Sequence, residues 1–229
     1  SYAMRSIMIQ GNDISLIAIL AFSTLLPFII ACGTCYIKFS IVFVMVRNAL
    51  GLQQIPSNMT LNGIALALSF FVMMPVVKNG YEEYRHSAMD TRNPESVAYF
   101  IEHGLDSYRD YLQKYSDPEL TQFFERVQLQ RDEDVMDAAE EEKRPSMISL
   151  LPSYALSEIK SAFKIGFYIY LPFVVIDLLV SSILLALGMM MMSPVTISVP
   201  IKLVLFVVMD GWTLISKGLI LQYINLATS

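Results

Sequence analysis

The chain has 229 residues, 55% of them hydrophobic and only 16% charged, with a mean hydropathy of +0.51. Such a composition places it among membrane proteins and excludes the disordered and the basic nucleic-acid-binding classes. Charge is unevenly spread: residues 81–155 hold 17 acidic and 8 basic side chains against 4 and 8 elsewhere, so one acidic, polar domain interrupts an apolar, weakly basic chain.

Residues 1–10 carry one arginine and no long apolar core, and do not read as a signal peptide. Ser1-Tyr2-Ala3 ahead of Met4 reads as an appended remnant, and residues 1–13 as an N-terminal tail. A nearly uncharged run over 14–37 follows, with Asn12 and Asp13 as candidate caps and interruptions at Pro27 and Gly33. That is enough to cross a bilayer, which takes about 20 residues. Apolar character resumes after Lys38 and ends at Arg47, a piece too short to span, so 14–46 reads as one broken or re-entrant helical unit. Cys32 and Cys35 form a C-x-x-C inside it; without a strand-helix-strand context they read as small packing residues, not a redox pair. A polar connector over 47–58 leads to a second span at 61–77, completing a first hydrophobic hairpin over 14–80.

Residues 81–151 read as an acidic helical domain. Asn93-Pro94-Glu95 is a helix start, and Val97, Phe100, Ile101, Leu105, Tyr108, Leu112 and Tyr115 continue it as one amphipathic helix. Asp117-Pro118-Glu119 repeats the signal before a shorter stripe of Leu120, Phe123, Phe124 and Val127. The charge-dense stretch at 132–145 reads as a mobile linker. Its carboxylates Asp132, Glu133, Asp134 and Asp137 lack the loop glycine and ligand spacing of a calcium site. His86 and His103 both fall in this domain and read as solvated.

Residues 152–229 read as a second hydrophobic hairpin. An amphipathic lead-in over 152–167 enters a run over 165–192, interrupted by Pro172 and Asp177 and, at about 1.5 Å per residue, longer than one crossing. Residues 194–200 then join it to a last apolar stretch over 201–224. The expected fold is an all-α membrane protein with about four hydrophobic helical segments, some broken, and a helical periplasmic insert between the second and third.

At the end of the long run stand Met189, Met190, Met191 and Met192, followed by Ser193-Pro194. A helix turns about 100° per residue, so four successive side chains point all round it and one packed face cannot bury them. Lipid-facing filler at a helix end is one reading. The other uses the thioether, which is apolar, unbranched and easily reshaped: loops of this kind from several subunits make a deformable, water-excluding seal.

Lys38, Asp177, Lys202, Asp210 and Lys217 lie in or beside apolar helices, where a charge facing lipid costs at least ~2.5 kcal/mol. They are expected to pair between helices or subunits, with Lys38 opposite Asp177, or else to form a proton relay through Asp177 and Asp210. Glu158 and Lys160 read as surface or assembly contacts. Four spans put the insert and both termini on one side, periplasmic if the Arg47 connector and the loop before Lys202 are cytoplasmic. Lys78, Lys160 and Lys164 then flank the insert against the positive-inside rule, as helices packed in protein instead of lipid can.

Four motifs, RNALGLQQIPSN at 47–58, PSYALSEIKSAFKIGF at 152–167, GMMMMSP at 188–194 and PIKLVLFVVMDGW at 200–212, occur in one order. With them the chain resembles, nearly end to end, the FliP/SctR/SpaP family of export-gate membrane proteins of flagellar and type III secretion systems. Ser153 stands where that family commonly has alanine. The resemblance implies a pentameric homo-oligomer completed by FliQ/SctS-like and FliR/SctT-like membrane subunits, set in the bacterial inner membrane and projecting into the periplasm. It implies that Met189 to Met192 form a gasket closing a channel for unfolded secreted proteins. No phosphate-binding loop or metal-ligand cluster is present, so neither enzymatic activity nor a cofactor is expected. The competing class is a proton-coupled or small-solute transporter, which needs paired repeats with broken helices that this sequence does not display. A scaffold around a pore lined by other chains is the third.

Overall fold

Glycine or proline stands at many of the described helix ends. The computed structural model describes residues 2–86, 93–131 and 144–224, and regular structure there is helical throughout. Helix α1 (Tyr2–Gly33) runs straight through Asn12 and Asp13, which therefore do not cap it, and through Pro27. The stretch expected as a tail is thus helical and continuous with the apolar run. After Thr34, Cys35 opens helix α2 (Tyr36–Ala49). At its end Gly51 takes the left-handed φ of +77°. Gly51 N–H donates to Asn48 O (3.0 Å) and Leu52 N–H to Arg47 O (3.2 Å), the two reversed bonds of a Schellman cap. Helix α3 (Asn58–His86) starts where Ser57 Oγ accepts from Thr60 N–H at 3.2 Å.

In the insert, Asn93 caps helix α4 (Pro94–His103) by accepting from Glu95 N–H at 3.0 Å, as the Asn-Pro-Glu signal predicts. The single amphipathic helix expected here is instead two. Gly104 closes α4, Leu105 leaves helical geometry (φ −105°, ψ 24°), and helix α5 (Asp106–Tyr115) begins afresh. Hydrophobic spacing persists across such a break, which is why it masked it. Asp117 Oδ1 accepts from Glu119 N–H (3.0 Å) at the start of helix α6 (Pro118–Arg131). Residues 132–143 of the linker expected over 132–145, with the candidate calcium carboxylates, lie outside the described residues.

Helix α7 (Met147–Ala186) is one 40-residue helix. Pro152, Pro172 and Asp177 do not interrupt it; each proline removes one backbone bond, a loss that long apolar helices tolerate when neighbours re-satisfy the freed carbonyl. Its length is about 60 Å, against a hydrocarbon core of about 30 Å. Helix α8 (Pro194–Val208) begins at Pro194, so residues 194–200 are helix and not a connector. Proline suits the first helical position, where its missing N–H has no partner to lose. Helix α9 (Gly211–Leu221) follows after a 58° bend, so the last apolar stretch is itself broken. By length and composition Ser15–Gly33, Asn58–His86 and Met147–Ala186 can each cross a membrane, and α8 with α9 makes a fourth candidate if the bent pair is one span.

The chain divides into two compact units, 1–34 with 73–158 and 35–72 with 159–229. In the first, α7 presents Ser149, Ser153 and Ser157, four residues apart on one face, to the insert. Ser157 Oγ accepts from Asp117 N–H (2.7 Å), Ser153 shares a hydrogen bond with Thr121 (2.9 Å), and Ser149 donates to Glu125. Tyr111 and Tyr154 share a buried hydroxyl contact, and Tyr108 donates to Gly33 O at 2.6 Å. Burial, then the nearby Cys32, push the Tyr108 phenol above its ordinary pKa, so it stays a donor. Small residues with hydroxyl partners let these helices approach closely. The second unit packs an apolar core of Phe39, Val42, Phe43, Val46 and Phe206, with Lys38, Arg47 and Lys202 buried beside it.

Candidate functional site

The methionine turn owes its shape to Gly188. With φ +74° it takes the left-handed position that ends α7. Gly188 N–H donates to Leu185 O (3.1 Å) and Met189 N–H to Leu184 O (2.9 Å), a second Schellman cap. Ser193, extended at ψ 124°, then hands the chain to α8. Four methionines are thereby held in a tight turn between two helices. Met189 is 47% exposed, Met190 81%, Met191 101% and Met192 48%. Burying a methionine side chain is worth roughly 1.5–3 kcal/mol, so such a tip favours a cover. Gly188→Ala is expected to cost ~1 kcal/mol from the positive φ, seen as faster hydrogen exchange at the Gly188 and Met189 amides. Unchanged exchange would show that the cap does not hold the turn.

Among the predicted charges, the structure joins Asp177 to Lys202, not to Lys38. Lys202, buried on α8, donates to Asp177 Oδ2 on α7 at 2.7 Å and to Ala49 O at 3.1 Å. That carbonyl belongs to the last turn of α2, where no intrahelical donor remains. One ammonium thus ties three helices. Lys38 is also buried, but donates to Gln222 Oε1 (3.2 Å) and sits over the Tyr223 ring at 4.8 Å. Sequence reasoning missed this because Gln222 and Tyr223 are unremarkable at a chain end. Glu158 is buried, Lys160 exposed, and both have interactions within the structure. Asp210 stands exposed at the bend, with φ +50°.

Two motifs gain a physical account. Arg47, at the start of the 47–58 connector, is buried and donates through Nη1 to Pro56 O (3.1 Å) and Asn58 Oδ1 (2.6 Å), so it clamps that connector. In Asp210-Gly211-Trp212, aspartate tolerates the left-handed turn better than most residues. Glycine leaves room for the Phe206 ring, and Trp212 meets Phe206 edge-on (5.3 Å) and Phe43 at 6.2 Å. A Cβ on Gly211 would collide with that ring. Gly211→Ala is therefore expected to cost about 1–3 kcal/mol by overpacking, read as a lower unfolding temperature in detergent; a stable variant would mean the ring is free to shift. Among the described residues no group of three His, Cys, Asp or Glu side chains is placed to hold a metal ion.

Comparison with known proteins agrees with these motifs. The profile of the FliP family matches residues 19–219. The chain is 68% identical over 224 residues to the surface presentation of antigens protein SpaP of Salmonella typhimurium, covering 96% of this chain and 100% of that one. It is 44% identical over 212 residues to the Yop proteins translocation protein R of Yersinia pestis, covering 93% and 97%. The harpin secretion protein HrcR of Erwinia amylovora is 36% identical over 204 residues, covering 88% and 92%. An all-helical chain with three or four apolar spans, matched along nearly its whole length, belongs to the FliP family, in the branch that holds SpaP and its secretion-system relatives.

Proposed function

We propose that this protein is a subunit of a type III secretion export apparatus, which lines a protein-export channel with copies of itself and closes it with the methionine turn. The observation that carries this reading is the turn: four consecutive thioethers, fixed by Gly188 and Pro194, all exposed, with Met190 and Met191 at the tip the most so. Family membership and the names of relatives, which speak of translocation and secretion, support it. The partners are further copies in a pentamer, FliQ/SctS-like and FliR/SctT-like membrane subunits, and the secreted proteins that pass unfolded. The site is the bacterial inner membrane, with the acidic helical domain over 81–151 and the assembled cone on the periplasmic side. Hairpins over 14–80 and 152–229 build the wall.

Physically, an apolar constriction dewets and blocks ions. Methionine, with three rotatable bonds, repacks around side chains of varying size. Only 17% of the apolar window of α7 and 6% of that of α1 are buried within the chain, a surface that neighbouring subunits or lipid must cover. Lys160 and Asp210, both exposed, are assembly contacts in this reading, whereas Glu158 is buried within its own chain, and Lys38 and the Asp177–Lys202 pair hold helices together. The chain has no catalytic role; energy for transport is supplied elsewhere.

Native mass spectrometry of the detergent-solubilised protein, alone and coexpressed with its neighbouring membrane subunits, tests the assembly. A closed homo-oligomer that gains defined copies of both partners is expected, and a Met191→Cys variant crosslinks between copies. A persistent monomer or dimer would favour a small-solute transporter. Assembly without crosslinking would favour a scaffold around another chain's pore.

A further inference from the structure

We propose that Met190 and Met191 are a modification site, oxidised before the buried and half-buried methionines of the described residues, and that their oxidation opens the seal. The inference rests on the gasket reading and adds a chemical switch to it. Thioether oxidation needs only a small two-electron oxidant reaching sulfur. With hydrogen peroxide the sulfur lone pair attacks one peroxide oxygen, the O–O bond breaks, and the thioether becomes a sulfoxide as water leaves. Sulfur loses two electrons and peroxide gains them.

The methionines differ sharply in access. Met73 is buried and Met45 and Met147 half-buried, whereas Met190 and Met191 are the most exposed of the turn. Met59 is as exposed as Met190 but lies on the first turn of α3 with no methionine next to it in sequence, and serves as an internal control. Consequence separates them further. A sulfoxide is a polar, hydrogen-bond-accepting group in place of an apolar one. At Met59 that change meets solvent and alters little. At four adjacent thioethers whose joint task is to exclude water, it places acceptors in the constriction, and an apolar gate closes only while it stays dry. Sulfoxides are reversible by the two methionine sulfoxide reductases, one for each sulfur epimer, so the change is a switch and not only damage.

The test uses the assembled complex of this chain with its partner subunits, reconstituted in liposomes and titrated with hydrogen peroxide. Peptide mass spectrometry is expected to show gains of about 16 Da at Met190 and Met191 several-fold earlier than at Met45 and Met73. Ion conductance rises with them and returns after treatment with both reductases. A Met190→Leu/Met191→Leu variant, still apolar, is expected to stay closed at the same dose while Met59 oxidises as before. Oxidation at the turn without a rise in conductance overturns the switch. So does the absence of oxidation there in the intact complex, or an equal leak in the leucine variant. The gasket itself is judged separately by polar replacement of the same residues: a leak on replacement with none on oxidation leaves the gasket standing and removes the switch.

Discussion

Replacing Met190 and Met191 with asparagine is expected to leave the oligomer intact and to raise its ion conductance steeply. The turn tips bear on no buried contact within the chain, since both residues are exposed, so folding and helix packing lose nothing. What changes is the contest between a dry and a wet constriction. Each methionine contributes roughly 1.5–3 kcal/mol towards exclusion of water when covered. A factor of ten in an equilibrium corresponds to about 1.4 kcal/mol, so one substitution in each copy of a ring is enough to favour the wet state. Leucine at the same positions keeps the apolar term and is expected to keep the seal, though with less freedom to close around a passing chain. Conductance of the reconstituted complex, with assembly verified by native mass spectrometry, measures this. Unchanged conductance in an intact asparagine complex would count decisively against a methionine gasket and return the four residues to helix-end packing.

The contrast between what periodicity reveals and what it hides runs along the chain. The all-helical fold and the membrane spans follow from apolar runs long enough to cross a bilayer, and the methionine turn from a proline that ends such a run. Helix starts at Asn93-Pro94-Glu95 and Asp117-Pro118-Glu119 were legible because a cap and a proline are local chemistry. Breaks within a periodic stretch were not. Gly104 ends α4 although the apolar spacing continues past it, while Pro152 and Pro172 leave α7 unbroken although proline opposes a helix. In both cases packing outweighs local preference, and one sequence does not display packing. The same limit applies to charge partners. Lys38, Asp177 and Lys202 were all marked as needing company, but the choice among them depends on which turn of α8 faces α7, and Lys202 wins by reaching the Ala49 carbonyl as well.

Removal of that ammonium is the other change expected to be costly. Lys202→Met deletes the donor to both the Asp177 carboxylate and the Ala49 carbonyl. Breaking a fully buried pair costs about 3–5 kcal/mol, chiefly from the charge left behind. Here the Lys202 side chain is 6% exposed but that of Asp177 is 43% exposed. The surviving carboxylate is therefore partly screened, and a loss of ~2 kcal/mol is the better expectation. Asp177→Asn keeps an acceptor of the same shape beside Lys202, and the ammonium retains the Ala49 carbonyl, so its cost is smaller, about 1 kcal/mol. Replacing both, as Asp177→Leu/Lys202→Met, leaves no charge unpaired, and only the Ala49 carbonyl loses a donor. That double variant is expected to recover most of what Lys202→Met alone loses, since apolar isosteres of an ion pair are often neutral. Thermal unfolding in detergent, followed by circular dichroism, gives the order: Lys202→Met lowest, Asp177→Asn above it, and the double variant nearest the parent. If the double variant is as unstable as Lys202→Met, the charge left on Asp177 is not the cause, and the bond to Ala49 at the end of α2 is the one that matters. That outcome would turn the pair from an electrostatic tie into a cap for α2, with Asp177 only orienting the lysine towards the carbonyl.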